Sequence, residues 1–211
     1  MKNLIESEAL KDKPSDEYLA KHTKKISLLF DLSKKGWKIR TLVAQNNGCN
    51  YDLFKKLSKD RSINVRGEIA SKPSCPIDIL GRLSDDSHWS VRCNVAHNPN
   101  CTVEILEKLS NDSHWSVRCN VAHNLNCPVE VLEKLSNDSD WIVRCNVTYN
   151  TNCPVKILET LSNDSHRSVR YHVAGNRNCP IEILKKFSDD LDFTVRDYAN
   201  KSLARIKGTT N

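Results

Sequence analysis

The sequence predicts an all-α fold, a stack of short paired helices, on three observations. Six cysteines recur every 26 residues, at Cys49, Cys75, Cys101, Cys127, Cys153 and Cys179. Seven arginines keep the same interval, from Arg40 and Arg66 through Arg92, Arg118, Arg144 and Arg170 to Arg196. Residues 83–98 and 109–124 then differ at a single position. A fixed period of this size marks a repeat architecture, in which each unit buries its apolar face against the next.

The elements follow in chain order. Residues 1–31 hold Leu4, Ile5, Leu10, Tyr18, Leu19, Ile26, Leu28, Leu29 and Phe30, enough apolar surface for a helical cap. Ser15-Asp16-Glu17 after Pro14 marks a helix start there. Residues 32–196 are seven tandem repeats of two helices each. The first helix opens at a proline, as in Cys75-Pro76-Ile77-Asp78-Ile79-Leu80, and proline is expected in its first turn. Ile77, Leu80 and Leu83 supply its stripe. Ser84-Asp85-Asp86-Ser87 breaks that helix and offers oxygens to cap the next. The second helix carries Trp89, Val91, Val95 and Ala96 and stops at the turn Asn98-Pro99-Asn100. At two to three turns neither helix is stable alone in water. Residues 197–211 form the other cap, with Leu203 and Ile206 closing the stack and residues 208–211 as a frayed tail.

Composition narrows the function classes. The 211 residues are 38% hydrophobic and 27% charged, and no run approaches the roughly 20 apolar residues of a membrane span. MKNLIESEALKDK places Glu and Lys where an export signal needs an apolar run. Nine cysteines without such a signal suggest free thiols in a reducing cytoplasm. The net charge of +6 is uneven: residues 1–72 hold 16 Lys and Arg against 9 Asp and Glu, and residues 73–211 hold 16 against 17. A basic front end is compatible with nucleic acid as well as with acidic protein.

The columns of the repeat suggest roles. Asp86, Asp112, Asp138 and Asp164 each stand six residues before Arg92, Arg118, Arg144 and Arg170. A guanidinium fork can bridge loop carbonyls and carboxylates of neighbouring repeats, giving a structural ladder. Cys93-x3-His97-x3-Cys101 resembles a zinc spacing, but Tyr149 takes the His position in a later copy and no fourth ligand is evident. No metal is expected. His88, His114 and His166, with Asp140 between them, lie one repeat apart, too far for one catalytic constellation. No phosphate-binding or dinucleotide-binding glycine motif and no H-E-x-x-H is present, so no enzyme, cofactor or small-molecule substrate is expected. Trp89, Trp115 and Trp141, followed by Arg167, share one column near the start of the second helix. They are either packed between repeats or, with His88, His114 and nearby asparagines, form a strip that anchors a partner.

The pattern L-S-x-D-x-x-x-x-V-R-x-x-V-A-x-N-x-x-C-P-x-E-[IV]-L, running over about residues 32–196, resembles the leucine-rich repeat variant family, a HEAT-like class. The resemblance implies alternating α and 3-10 helices stacked as a right-handed solenoid. Some members carry a cysteine cluster for an iron–sulfur centre ahead of the repeats. Residues 1–48 hold no cysteine, so that cofactor is not carried over. Together these readings predict a non-enzymatic scaffold that binds a protein or peptide on its curved helical surface. The alternative is a nucleic-acid-binding repeat protein that uses the basic front end and the Trp strip.

Overall fold

The computed structural model describes residues 14–208, and every regular element among them is an α-helix. Two compact units divide between Leu83 and Ser84. The first holds α1 (Asp16–His22), α2 (Ile26–Leu32), α3 (Trp37–Gln45), α4 (Tyr51–Leu57), α5 (Ile63–Ser71) and α6 (Ile77–Leu83). The second holds α7 (Trp89–His97), α8 (Val103–Leu109), α9 (Trp115–His123), α10 (Val129–Leu135), α11 (Trp141–Tyr149), α12 (Val155–Leu161), α13 (Arg167–Gly175), α14 (Ile181–Phe187) and α15 (Phe193–Gly208). Leu4, Ile5 and Leu10 of the expected cap, and residues 209–211 of the expected tail, lie outside the described residues.

From α3 to α14 helices of nine and seven residues alternate, and every second helix stacks on the one before it: α1 on α3 and α3 on α5 in the first unit, and α7, α9, α11, α13 and α15 in turn in the second. The resemblance implied 3-10 segments; none occurs among the described residues. The short helix closes true α turns, with the Leu106 N–H donating to the Thr102 carbonyl at 3.0 Å and Ser110 N–H to Leu106 at 2.8 Å. Its exit tightens, where Asn111 and Asp112 donate to carbonyls three residues back, and in the repeats that open at proline the entry does too, as Val131 N–H donates to Pro128. Ser110 is the last cap, and its hydroxyl donates to the Glu107 carbonyl at 2.7 Å.

Three local expectations change. The buried stripe of the short helix is Ile79, Leu80 and Leu83, while Ile77 is 58% exposed, because the first helical residue faces away from the stack. Proline is the N-cap rather than the first helical residue: Pro128, Pro154 and Pro180 are extended, just ahead of the helix. The second helix is capped not by the Ser-Asp-Asp-Ser hydroxyls but by the residue after them. His114 Nδ1 accepts from the Ser116 N–H at 3.2 Å, and Asp140 does the same for Ile142 at 2.8 Å. The loop aspartate acts one step earlier, Asp112 accepting the His114 N–H at 2.9 Å.

The nine-residue helices are buried broadly, as Val117, Cys119, Val121 and Ala122 show, because a neighbour covers each of two sides. Each buried Val or Leu contributes about 1.5–3 kcal/mol. Both ends are helical. α1 stacks on α3 much as α3 stacks on α5. At the other end α15 runs unbroken through residue 197, over 16 residues.

Eight of the nine cysteines are buried, and Cys49 is half-buried. Burial pushes the thiols of Cys75, Cys101 and Cys127 up to about 12. At pH 8 the native protein should therefore react slowly with a thiol reagent such as Ellman's at all but Cys49. In denaturant all nine should titrate at once; eight fast thiols in the folded state would contradict this packing.

Candidate functional site

Two ladders join the repeats at opposite ends of the nine-residue helices. At the N-terminal end, the Arg118 Nε and Nη2 donate to the two carboxylate oxygens of Asp138, one repeat on, at 2.6 and 2.9 Å. Its Nη1 donates back to the Asp112 carbonyl at 2.8 Å. Arg92 holds Asp112, Arg144 holds Asp164 and Arg170 holds Asp190 in the same way, and in the first unit Arg40 holds Asp60. Asp86 supplies its backbone carbonyl to Arg92 at 2.7 Å. The aspartate six residues upstream thus offers a carbonyl, and the one 20 residues downstream offers the charge. These side chains are largely covered, 14% and 8% exposed for Arg118 and Asp138.

Burial is the largest influence on the Asp138 carboxyl and pushes its pKa up. The Arg118 hydrogen bonds, the Asp140 N–H and the guanidinium charge outweigh it and hold the carboxyl below its usual 3.8. Asp60, Asp112 and Asp164 behave alike. For Asp190 the Arg170 hydrogen bond is the largest influence, and it lowers the pKa.

At the C-terminal end of the same helices stands a ladder that the sequence reading treated only as a turn signal. The Asn124 Nδ2 donates to the carbonyls of Ala96 and Asn98, at 2.7 and 3.0 Å, closing the end of the preceding helix. Asn150 does so for Ala122 and Asn124, and Asn176 for Thr148. Asn46 serves Ala20 and Lys21 in the first unit, where Lys72 takes over the column and donates to the Gln45 carbonyl at 2.9 Å. The signal was available: asparagine at 98, 124, 150 and 176, again every 26 residues.

The Trp column lies along the edge beside the arginine ladder. Trp89, Trp115 and Trp141 are 41%, 42% and 39% exposed, so the rings neither fill the core nor stand free. The Trp89 ring stacks on His114 of the next repeat, centroids 4.2 Å apart and 4° from parallel. Trp141 stacks on His166 at 4.0 Å. Arg167, which replaces Trp in the next repeat, reaches Asp192 at 3.2 Å. His88 and His114 therefore do two jobs, each capping a helix and flanking the Trp89 indole, His88 at 5.7 Å and His114 at 4.2 Å. The helix asparagines turn away from the strip: Asn120 donates to the Ser116 carbonyl of its own helix at 2.8 Å. The edge carries half-exposed aromatic surface with polar neighbours.

Across the helices from this edge, near the asparagine ladder, two cavities of about 590 and 570 Å³ share Tyr149 and Thr151. His97, His123 and Leu125 line the first; Tyr171, His172 and Tyr198 line the second. From sequence, His97 figured only in the zinc-like spacing, and none of these residues was expected to contact a partner. Cys93 is buried while His97 is exposed, and among the described residues no group of three or more His, Cys, Asp or Glu side chains is placed to hold a metal ion.

With this geometry in view, the comparisons bear on the repeat itself. The family model described as leucine rich repeat variant matches residues 115–140, one full period. A solved structure titled "A leucine-rich repeat variant with a novel repetitive protein structural motif" superposes with a TM-score of 0.68 at 21% identity, covering 92% of this chain and 79% of that one. At that identity the likeness is one of fold. An engineered protein superposes at 0.44 with 15% identity over 95% of this chain and 77% of its own. Another reaches 0.35 with 17% identity over 95% and 94%. No curated protein matches the chain.

Two outcomes follow from the arginine ladder. Arg118→Ala should lower stability to urea by about 1–3 kcal/mol, the cost of a lost charged hydrogen-bond partner; an unchanged midpoint would contradict the ladder. A carboxyl held below its unfolded value contributes stability above that value and loses it as pH falls through the folded one. Helicity followed by circular dichroism should therefore hold from about pH 7 to about pH 4 and collapse below, as Asp60, Asp112, Asp138, Asp164 and Asp190 take up protons. Stability that rises on acidification from about pH 5 to about pH 3 would contradict it.

Proposed function

We propose that the protein is a non-enzymatic scaffold that binds a protein or peptide segment along the Trp edge of its second unit. The observation that carries this reading is the half-exposure of Trp89, Trp115 and Trp141, with Trp89 and Trp141 stacked on the imidazole of the next repeat. A ring already fixed against a neighbouring imidazole loses little freedom when a partner covers it, so more of the contact energy appears as affinity. Aromatic and arginine side chains are the usual anchors of such interfaces, and Arg167 extends the row. His88, His114 and Asp140 supply polar rims between the rings.

A second reading, nucleic-acid binding, draws on the first unit. Trp37 and Arg61 line a shallow cavity of about 400 Å³ together with Arg40, Ser62 and Asn64. An indole beside a guanidinium suits a stacked base and its phosphate.

Panning a random peptide library against the full chain tests the first reading. Selected peptides should shift the Trp emission and bind Trp115→Ala at least tenfold more weakly, in line with an aromatic anchor. The same variant should lose less stability than the roughly 3–5 kcal/mol of a fully buried ring, and acrylamide should quench the native indoles readily. Peptides that bind Trp115→Ala as well as wild type, or strongly shielded indoles, would overturn the edge. Tight binding of a random oligonucleotide that weakens steeply with salt would favour the second reading.

A further inference from the structure

The repeats of the second unit serve as their own reference; some of their departures, such as Arg167, lie on the Trp edge, and another set gathers in one place. Three successive repeats carry Cys-Asn at 93–94, 119–120 and 145–146; the fourth carries Tyr171-His172. The fifth places Tyr198 in the Asn column. Where His97, His123 and Tyr149 stand, the fourth repeat has Gly175, and where Pro99, Leu125 and Thr151 stand it has Arg177. Random drift would scatter such changes over the surface. Instead Tyr149, Tyr171, His172, Gly175, Arg177 and Tyr198 all line the cavity of about 570 Å³.

The walls are built from these changes. A Cβ on Gly175 would come within 2.6 Å of the Tyr198 Cε1, so the glycine makes room for that ring. Tyr198 stacks on Tyr171 with centroids 4.5 Å apart. Tyr149 packs on His172 at 4.5 Å, and its hydroxyl lies 3.2 Å from His172 Nε2. Half burial lowers the His172 pKa, because the charged ring would lose hydration there. No lining residue is acidic. The arginines of the ladder are each held by an aspartate; Arg177 is exposed and, among the described residues, has neither a hydrogen-bond nor an ion-pair partner. The volume is that of a small-molecule site.

We propose that this cavity binds a flat aromatic or heteroaromatic ring that bears a carboxylate or a phosphate. The ring packs among Tyr149, Tyr171 and Tyr198, and the Arg177 fork takes the anion, as guanidinium does for both groups. Sequence alone gave no sign of a small-molecule ligand, because each change, taken singly, reads as decay of a repeat. Their convergence is visible only in the fold.

Isothermal titration of the full chain with four probes tests this: adenosine 5′-monophosphate, adenosine, indole-3-acetate and indole. At least one anion should bind saturably at one per chain, about tenfold or more tighter than its neutral counterpart, and the anion that binds identifies phosphate or carboxylate as the preferred group. Arg177→Ala should weaken that anion about tenfold to a hundredfold without moving the thermal midpoint, since the residue is exposed and unpaired. Gly175→His should abolish binding by displacing Tyr198. If that variant unfolds, Gly175→His/Tyr198→Asn, which restores the residues of earlier repeats, should fold and not bind. The proposal is overturned if neither anion binds at up to about 1 mM. It is equally overturned if Arg177→Ala and the double variant bind as wild type does.

Discussion

The paired hydrogen bond from one repeat's arginine to the next repeat's aspartate is the interaction on which the rest of each stack depends. A unit of 26 residues with helices of seven and nine residues is too small to satisfy its own polar groups. Each nine-residue helix leaves free N–H groups at its start and free carbonyls at its end. The aspartate loop answers the first need, since Asp112 accepts the His114 N–H, but that puts a carboxylate in a largely covered loop. Arg92 of the preceding repeat neutralises it with two hydrogen bonds, at 2.5 and 2.8 Å. Asn124 answers the second need by donating to carbonyls at the end of the preceding helix. Both ladders fix the next repeat at the same distance along the chain, so arginine, aspartate and asparagine share one interval with the buried cysteines.

With both ends tied between neighbours, the residues just outside the ladders carry little of the burden of folding. They are the ones that vary. Along the N-terminal edge the column reads Trp89, Trp115, Trp141 and Arg167, followed at the cap of the next repeat by His114, Asp140, His166 and Asp192 respectively, and it ends on Phe193. Indole meets imidazole where both are present, and guanidinium meets carboxylate where both have changed. At the C-terminal end the columns change more abruptly, at Tyr171, His172, Gly175, Arg177 and Tyr198. A repeat scaffold of this kind separates the residues that hold the stack from those that present chemistry, so one set changes without disturbing the other.

Much of the fold was legible because periodicity reports it directly. The repeat length, the paired helices, the buried valine and leucine columns and the turn after each second helix all follow from the 26-residue interval. Local geometry was less legible. Ile77 has the spacing of a core residue but starts a helix too short to turn it inward. The capping role of His88 and His114 was hidden because histidine is not among the usual cap residues, whereas serine and aspartate beside it are. The Trp edge was readable as a column but not as a half-exposed one, since burial depends on how far the next repeat's histidine reaches. The aromatic cavity was the least legible feature. Its distinctive residues come from three successive repeats and four columns, and only stacking brings them together.

A double-mutant cycle on Arg118 and Asp138 tests the central claim most directly. Urea unfolding of wild type, Arg118→Ala, Asp138→Ala and the double variant isolates the coupling between side chains 20 positions apart in sequence. Since each single change strands the other partner in a covered site, the double variant should cost clearly less than the two single changes summed. The predicted coupling is about 1.5–3 kcal/mol. Additive losses, with a coupling below about 0.3–0.5 kcal/mol, would mean that the ladder accompanies the stack without holding it together.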